Sequence, residues 1–150
     1  MATAVQHEQF NGSRYIIKRV IVSGADDLSE TNIITAAEVE ANISDKFAPD
    51  GSSFFYPKLV EASWNMVGFD NVELYYDDEG NNLVFHAMSG DNTLDARGIG
   101  GVSAEEVADE GSAAVDEDFV VHMIAKETAV ENDEARADIT LVFKLKPWRD

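Results

Sequence analysis

Residues 58–101 constrain the fold more than any other stretch, because apolar and polar residues alternate along them in three short runs. Side chains two residues apart leave a strand on the same face, so this alternation predicts strands with one buried face. Residues 77–82, between the second and third runs, are rich in Asp, Asn and Gly, which predicts a hairpin turn. The expected inward residues are Val60, Ala62, Trp64, Met66, Val72, Leu74, Tyr76, Leu83, Phe85 and Ala87, whereas alternate residues such as Leu59 and Tyr75 are expected on the polar face.

The rest of the chain adds further strands and little helix. Residues 119–126 and 138–146 alternate in the same way, and residues 14–23 are rich in β-branched residues. Residues 14–23 are apolar on both faces, which indicates a central strand or one that a neighbouring subunit covers. Residues 24–53 favour a strand fragment at 32–35, followed by one or two helical turns.

These elements predict an all-β fold, an antiparallel β-sandwich (jelly-roll-like) of about six to eight strands with little helix. The polar residues 1–13 end in Asn-Gly-Ser and predict a flexible N-terminal arm. The remaining residues, 14–150, are long enough to bury one core and are expected to form a single β-sandwich domain.

Charge is the strongest compositional signal. Twenty-nine acidic residues against eleven basic ones give a formal net charge of −18, so we expect neither nucleic acid nor an anionic membrane as a partner. The charge serves either solubility or the docking of an acidic face onto a basic protein surface. No apolar run approaches the roughly 18 residues of a membrane span, and the first residues lack the pattern of a secretory signal.

The residues that usually carry chemistry form no recognisable motif. The chain has no cysteine, and no serine lies in a nucleophile elbow. His86 and His122 lie in predicted strands, where they would make a metal site only by facing each other beside a carboxylate. The acidic residues 102–118 lack the ligand spacing of an EF-hand. We therefore expect no catalytic residue, no cofactor, no metal and no enzymatic activity.

Residues 90–101 contain four glycines, which predicts tight turns. At least one of Gly98, Gly100 and Gly101 is expected to have a positive φ. A phosphate-binding loop would need these glycines between a strand and a helix, and the carboxylates that follow would repel phosphate. Asp95 and Arg97 are expected to pair with each other or to cap the turn.

Basic residues and clustered aromatics mark the expected contacts with other proteins. Three of the eleven basic residues lie within residues 14–23, where they form either a local positive spot or ion pairs with nearby carboxylates. Three consecutive aromatic residues at 54–56 cannot all face one core, so at least one is covered by a loop or presented to a partner. The expected interaction residues are Arg14, Tyr15, Lys18, Arg19, Phe54, Phe55 and Tyr56.

Several of these segments resemble a family of small structural proteins of marine tailed phages. The resemblance lies in Trp64, VELYYD at 72–77, LVFHAMSGD at 83–91, LDARGIGG at 94–101 and ADITLVFKLK at 137–146. In that family a tryptophan-led strand precedes an apolar strand ending in Asp, a glycine-rich turn with an Asp-x-Arg core, and a final strand ending in lysine. The similarity covers roughly the last 90 residues. The acidic residues 102–118 depart from it, since the family is rich in Gly and Thr there.

The resemblance implies a virion component, made in the host cytoplasm. We expect a capsid decoration (cement) protein on the outer surface of the head shell, with the major capsid protein and further copies of itself as partners. A homotrimer joined through the arm and first strand is expected. The alternatives are a head–tail or tail accessory protein, or a carbohydrate- or calcium-binding β-sandwich whose mouth is formed by Tyr75, Tyr76 and residues 77–82.

Overall fold

The computed structural model of the protein describes residues 2–12, 14–24, 26–35, 37–39, 55–78, 81–102, 121–127 and 135–147. Nine strands lie within these ranges. They are β1 (Thr3–Gly12), β2 (Tyr15–Ser23), β3 (Leu28–Ile34), β4 (Phe55–Val67), β5 (Phe69–Asp78), β6 (Asn81–Met88), β7 (Asp91–Asp95), β8 (Val121–Glu127) and β9 (Arg136–Pro147), with a short 3₁₀ turn at Arg97–Ile99 after β7.

The strands form two antiparallel sheets. Sheet A has the order β1-β2-β9-β4-β7 and sheet B has the order β3-β8-β5-β6. Apart from β1, the strands pair as β2·β9, β3·β8, β4·β7 and β5·β6, so that each pair nests inside the one before it. This is the strand order of a jelly roll. The predicted antiparallel sandwich is therefore confirmed, including the hairpin that joins β5 to β6.

One hydrophobic core lies between the sheets, and alternate residues of the long strands fill it. Ile139, Leu141, Phe143 and Leu145 of β9 are all fully buried, as the period-two pattern predicts. Sheet B contributes Val72, Leu74, Tyr76, Val121 and Met123 to the same cluster. Trp64 and Phe85 were also expected in the core, but they pack against its rim and are only partly buried.

Bulges change the buried face of two strands. In β4 the register moves between Leu59 and Glu61, and Leu59 and Val60 are both buried, so the prediction that Leu59 points to water was wrong. In β6 the register moves at Phe85, and Met88 rather than Ala87 is buried. A bulge inserts one extra residue, so an alternating pattern switches face there.

The N-terminal residues expected to form a flexible arm form the strand β1 instead. β1 pairs with β2 from Thr3 to Gly12, with a bulge at Gln9. Two contacts fix it against the rest of the sandwich, because Ala2 is buried in the core and Gln6 Nε2 donates a hydrogen bond to the Asn32 carbonyl of β3 at 2.8 Å. The arm prediction was wrong for these residues because β1 has no apolar face that alternation would reveal.

The strand and helical turn predicted within residues 24–53 are present. β3 begins earlier than expected and ends at Ile34, and Val39 N then donates to Thr35 O at 3.1 Å in one helical turn. Thr35 and Glu38 form a capping box: Glu38 N donates to Thr35 Oγ1 at 3.2 Å and Thr35 N donates to Glu38 Oε1 at 3.3 Å. In the described ranges, no helix is long and apolar enough to cross a membrane.

Candidate functional site

The strand β2 carries three of the predicted interaction residues, Tyr15, Lys18 and Arg19, on its two faces. Tyr15 and Arg19 lie on the outer face of sheet A, which points away from the core, and the ammonium group of Lys144 lies 5.5 Å from the centre of the Tyr15 ring. Lys18 lies on the opposite face and is only 6% exposed. The structure therefore places Tyr15 and Arg19 on the same outer face and Lys18 in the interior.

The other predicted interaction residues lie outside this face or outside the described side chains. Arg14 occupies the turn between β1 and β2 with a φ of 68°, and its carbonyl accepts a hydrogen bond from Leu145 N. Phe55 and Tyr56 begin β4, with their backbones opposite Pro147 and Lys146. Phe54 and the side chains of Phe55 and Tyr56 lie outside the described part of the chain.

Lys18 is held by internal acceptors. Its Nζ forms an ion pair with Glu38 Oε2 at 2.6 Å, donates to the Ile33 carbonyl, and lies 3.5 Å from Gln6 Oε1. Glu38 is the residue that caps the helical turn, so one carboxylate ties this turn to β2. Of the two interpretations of the basic cluster, ion pairing with nearby carboxylates is the one that Lys18 and Arg19 adopt.

The outer face of sheet A is a polar, open surface. Residues directly opposite each other on neighbouring strands share a face, so the register defines rows of side chains across the sheet. The central row contains Thr93, Ser63, Thr140, Arg19 and His7. The next row contains Asp91, Asn65, Asp138, Ile21 and Val5. These rows line most of an open groove of about 900 Å³.

An ion pair crosses the middle of this groove. Arg19 donates from Nε to Asp138 Oδ1 at 2.9 Å and from Nη2 to Oδ2 at 2.5 Å, which is the two-pronged geometry that suits guanidinium and carboxylate. The hydrogen bonds from Arg19 lower the pKa of Asp138 below its usual value, and the same contact raises the pKa of Arg19. The pair holds the Arg19 and Asp138 side chains against each other, and the hydroxyl side chains of Ser63, Thr93 and Thr140 also line the groove.

A second charged cluster lies at the β7 edge of the face. Arg97 donates to Asp95 from Nε and Nη2 at 2.9 and 2.8 Å, and its Nε also lies 3.0 Å from Glu61 Oε1. Hydrogen bonds from Arg97 lower the pKa of Asp95 to about 2 and raise that of Arg97. The predicted pairing of Asp95 with Arg97 is confirmed.

A glycine turn fixes this cluster against β4. Gly100 and Gly101 have φ values of 81° and 104°, which confirms the expected positive φ. Gly101 N donates to Ala96 O at 2.9 Å, and Val102 exchanges hydrogen bonds with Leu59 at 2.8 and 3.1 Å. A Cβ on Gly101 would lie 2.9 Å from Lys58 Cβ, so the close approach of the turn to β4 requires glycine there.

The outer face is nearly balanced in charge, unlike the chain as a whole. It carries the cations Arg19, Lys58, Arg97, Arg136 and Lys144 and the carboxylates Glu61, Asp91, Asp95 and Asp138. It also carries partly or fully exposed apolar side chains, Val5, Phe10, Ile17, Ile21, Val67 and Val142. In a chain of formal net charge −18, this face is therefore a surface where another protein approaches with little electrostatic repulsion.

Part of this groove is visible in the sequence, although its residues form no motif. Ser63, Asn65, Asp138 and Thr140 lie on the polar faces of two strands that were predicted correctly. The register that places them side by side depends on the pairing of β4 with β9, which are far apart in the chain. Alternation assigns a side chain to a face, but it does not say which strand lies next to which.

The tyrosines proposed as the mouth of a glycan site are buried. Tyr76 is fully buried, stacks on Phe85 with ring centres 4.6 Å apart, and donates a hydrogen bond to the Pro57 carbonyl. Tyr75 is 1% exposed and stacks on His122, with ring centres 5.3 Å apart. Neither ring is exposed enough to stack on a sugar. The prediction that Tyr75 and Tyr76 form the mouth of a carbohydrate site was therefore wrong.

The two strand histidines do not face each other. They lie opposite consecutive residues of β5, His86 opposite Leu74 and His122 opposite Tyr75, and so on opposite faces of sheet B. His86 packs edge-on against Trp64, and burial lowers its pKa. His122 Nδ1 lies 3.2 Å from Glu30 Oε1. Among the described residues, no group of three or more His, Asp or Glu side chains is placed to hold a metal ion.

Comparisons with models of protein families, with curated proteins and with solved structures find no match to the chain. The fold, the outer face of sheet A and the resemblance in the sequence are therefore the grounds for assigning a function.

Proposed function

We propose that this chain is a structural protein of a tailed-phage virion, a decoration (cement) protein that binds the outer surface of the head shell and stabilises it. Its partners are the major capsid protein and further copies of itself, and it needs no cofactor. The resemblance of segments within residues 64–101 and of residues 137–146 is the source of this proposal. The fold supports it, because the jelly roll is an architecture used by viral capsid proteins, although it also serves lectins and cupins.

The observation that carries the proposal is the outer face of sheet A. A shell-binding module needs a broad contact surface, and this face spans five paired strands and carries the cross-strand ion pair Arg19–Asp138 and the contact of Arg97 with Glu61. The face is nearly charge-balanced, while the rest of the chain carries most of the negative charge. We propose that this face contacts the shell.

The residues that resemble the phage family have a physical role at this face. The turn that carries much of the resemblance, residues 89–101, uses Gly100 and Gly101 to bring Arg97 over Glu61 and Asp95. At the start of this segment, Trp64 Nε1 donates a hydrogen bond to the Ser89 carbonyl at 3.0 Å and so ties the segment to β4. The motif thus shapes one border of the proposed contact face.

The proposal is tested by binding of the purified protein to emptied, expanded heads of the phage whose genome encodes it. Co-sedimentation measures binding, and the temperature at which the heads lose integrity measures stabilisation. We expect saturable binding and a higher stability of decorated heads. Absence of binding to the heads, or labelling confined to the neck or tail of intact particles, would contradict a decoration role, and the second outcome would identify a head–tail or tail accessory protein.

Two matched variants locate the contact face. Ser63→Arg places a long cation in the middle of the groove, whereas Ser29→Arg makes the same change on an exposed residue of β3, in sheet B. We expect Ser63→Arg to weaken head binding at least tenfold and Ser29→Arg to leave it within about twofold. Equal effects of the two variants would mean that the outer face of sheet A is not the contact.

A further inference from the structure

The outer edge of β1 is the most open strand edge in the described part of the chain. β1 is ten residues long, contains neither proline nor lysine, and pairs on one side only, with β2. The other edges are shorter: β7 has five residues and begins and ends with aspartate, β3 has seven residues and β6 has eight. Unpaired N–H and C=O groups along a long edge with little charge favour the addition of another strand.

Charge also singles out this corner of the molecule. Residues 1–23 contain one carboxylate and three cations, a net charge of +2, so the other residues together carry −20. Ion pairs with Glu38 and Asp138 neutralise Lys18 and Arg19. Two copies of so acidic a chain repel each other, and β1 contributes a single carboxylate, Glu8, to the edge that it presents.

The pattern of β1 is also suited to pairing with itself. Gln9 is a bulge residue, which leaves nine regular positions, Thr3–Glu8 and Phe10–Gly12, with His7 at their centre. An antiparallel pair that overlaps fully therefore has its two-fold axis at His7. This register sets Val5 of one copy opposite Phe10 of the other. Both side chains lie on the outer face and are 53% and 45% exposed, so pairing gives each an apolar cross-strand partner.

We propose that β1 pairs with β1 of a second copy, antiparallel about a two-fold axis at His7, so that two five-stranded sheets join into one sheet of ten strands. The bulge at Gln9 makes this register possible, because it brings Val5 and Phe10 onto the same face of the strand. Pairing of like edges gives a dimer. A trimer was expected from the sequence instead. In a trimer, β1 of each copy would have to contact a different surface of the next copy rather than its β1.

Disulfide trapping tests the axis directly, because the chain has no cysteine of its own. Residues opposite each other in an antiparallel pair have Cα atoms about 4.5–5.5 Å apart, within the range that a disulfide bridges. We expect His7→Cys to form covalent dimers rapidly on mild oxidation. Val84→Cys, on the exposed edge strand of sheet B, is the control and is expected to cross-link at the rate of random collision. Equal rates for the two variants would overturn the proposal.

Spin labels measure the register. Thr3→Cys, Val5→Cys and His7→Cys place labels on exposed side chains of the outer face. Each residue away from the two-fold axis adds about 6.8 Å to the distance between equivalent backbone positions, twice the rise of a strand. Combined with the spacing of about 4.8 Å between strands, this gives backbone distances of about 5 Å at position 7, about 14 Å at position 5 and about 28 Å at position 3. A different order would overturn the register, and the absence of any interlabel distance would overturn the pairing.

Edge charge tests whether pairing occurs in the unmodified chain. Sedimentation equilibrium of the full-length protein is expected to show a dimer, whose affinity rises from 0.01 to 0.15 M salt as the Debye length falls from about 30 to about 8 Å. Val5→Lys adds a charge beside the edge and is expected to weaken the dimer at least tenfold, whereas Val84→Lys leaves it unchanged. A monomer or a trimer under all these conditions contradicts the proposal, whether or not the protein binds phage heads.

Discussion

The two edges of sheet A are finished in opposite ways. β7 is a five-residue strand with Asp91 and Asp95 at its ends, and Arg97 and the Gly100–Gly101 turn hold it against β4. β1 is twice as long, and Glu8 is its one carboxylate. The comparison teaches that a sheet edge is closed by local means, here charge and a tight turn, so a long edge without them is available to a partner.

The largest loss of stability is expected from a substitution in β9, the strand between β2 and β4 in the middle of sheet A. Phe143 of β9 is fully buried and lies opposite Ile16 of β2 and Leu59 of β4. Phe143→Ala leaves a cavity between the sheets, and we expect a loss of about 3–5 kcal/mol in the free energy of unfolding. Urea denaturation measures it, with the half-buried neighbour Val142→Ala as control. A loss below about 1 kcal/mol would contradict the burial of this ring.

A smaller effect is expected where the β7 edge alone is disturbed. Gly101→Ala strains a backbone with φ of 104° and pushes Cβ to 2.9 Å from Lys58 Cβ, so we expect a cost of about 2–3 kcal/mol. Gly90→Ala is the control, since Gly90 also has a positive φ but a Cβ added there would meet no atom within 4 Å. It should cost about 1 kcal/mol. Equal costs, measured by urea denaturation, would mean that crowding against β4 contributes nothing.

The buried ion pair behind β1 is expected to contribute less again. Lys18→Met leaves the Ile33 carbonyl and Glu38 without this donor, and we expect a loss of about 1–3 kcal/mol. Glu38→Gln keeps an oxygen that can accept from Thr35 N and removes the charge. A double-mutant cycle between the two variants should give a coupling of about 1 kcal/mol or more. Additive losses would show that the two side chains are independent.

The smallest effect is expected from the exposed carboxylate at the β7 edge. Folding lowers the pKa of Asp95 from 3.8 to about 2, so its ion pair stabilises the folded state fully above about pH 4 and is lost as the pH falls towards 2. Asp95→Asn should therefore be less stable than the parent at pH 7, with a difference that shrinks below pH 4. Denaturation midpoints across this range measure it.

Asp91→Asn is the control for removing a carboxylate from this edge, because Asp91 lies at the other end of β7 and shows no ion pair within the described residues. At pH 7 it should cost less stability than Asp95→Asn. An Asp95→Asn difference that stays constant from pH 7 to pH 2 would contradict the ion pair with Arg97.

The fold was predictable where one face of a strand is apolar and regular. The β9 residues Ile139, Leu141 and Phe143 alternate without interruption and are all buried. The prediction failed at Leu59 and Ala87, where bulges switch the buried face, because a bulge leaves no mark in the alternation itself. It failed for β1 because an edge strand held by Ala2 and Gln6 shows no apolar face.

The candidate site was less predictable, because it depends on strands that are distant in sequence. Arg19 and Asp138 are both visible as charged residues in predicted strands, yet their pairing needs β2 beside β9. Tyr75 was expected on a polar face and is buried instead, since it stacks on His122 of the neighbouring β8. Strand order, which periodicity does not contain, determines both contacts.

The nested pairing of the jelly roll has a consequence for how the chain is made. Residues 24–135 separate β2 from its partner β9, and at ribosomal rates they take on the order of ten seconds to synthesise. The hairpin of β5 and β6 closes within microseconds of its emergence, but β2 and β4 of sheet A cannot be joined until β9, which pairs with both, has been synthesised. The separating residues carry a net charge of −22, and the segments on either side carry +2 each. Nascent chains therefore repel one another through their acidic middles for as long as the apolar faces of β2 lack the strand that completes their sheet.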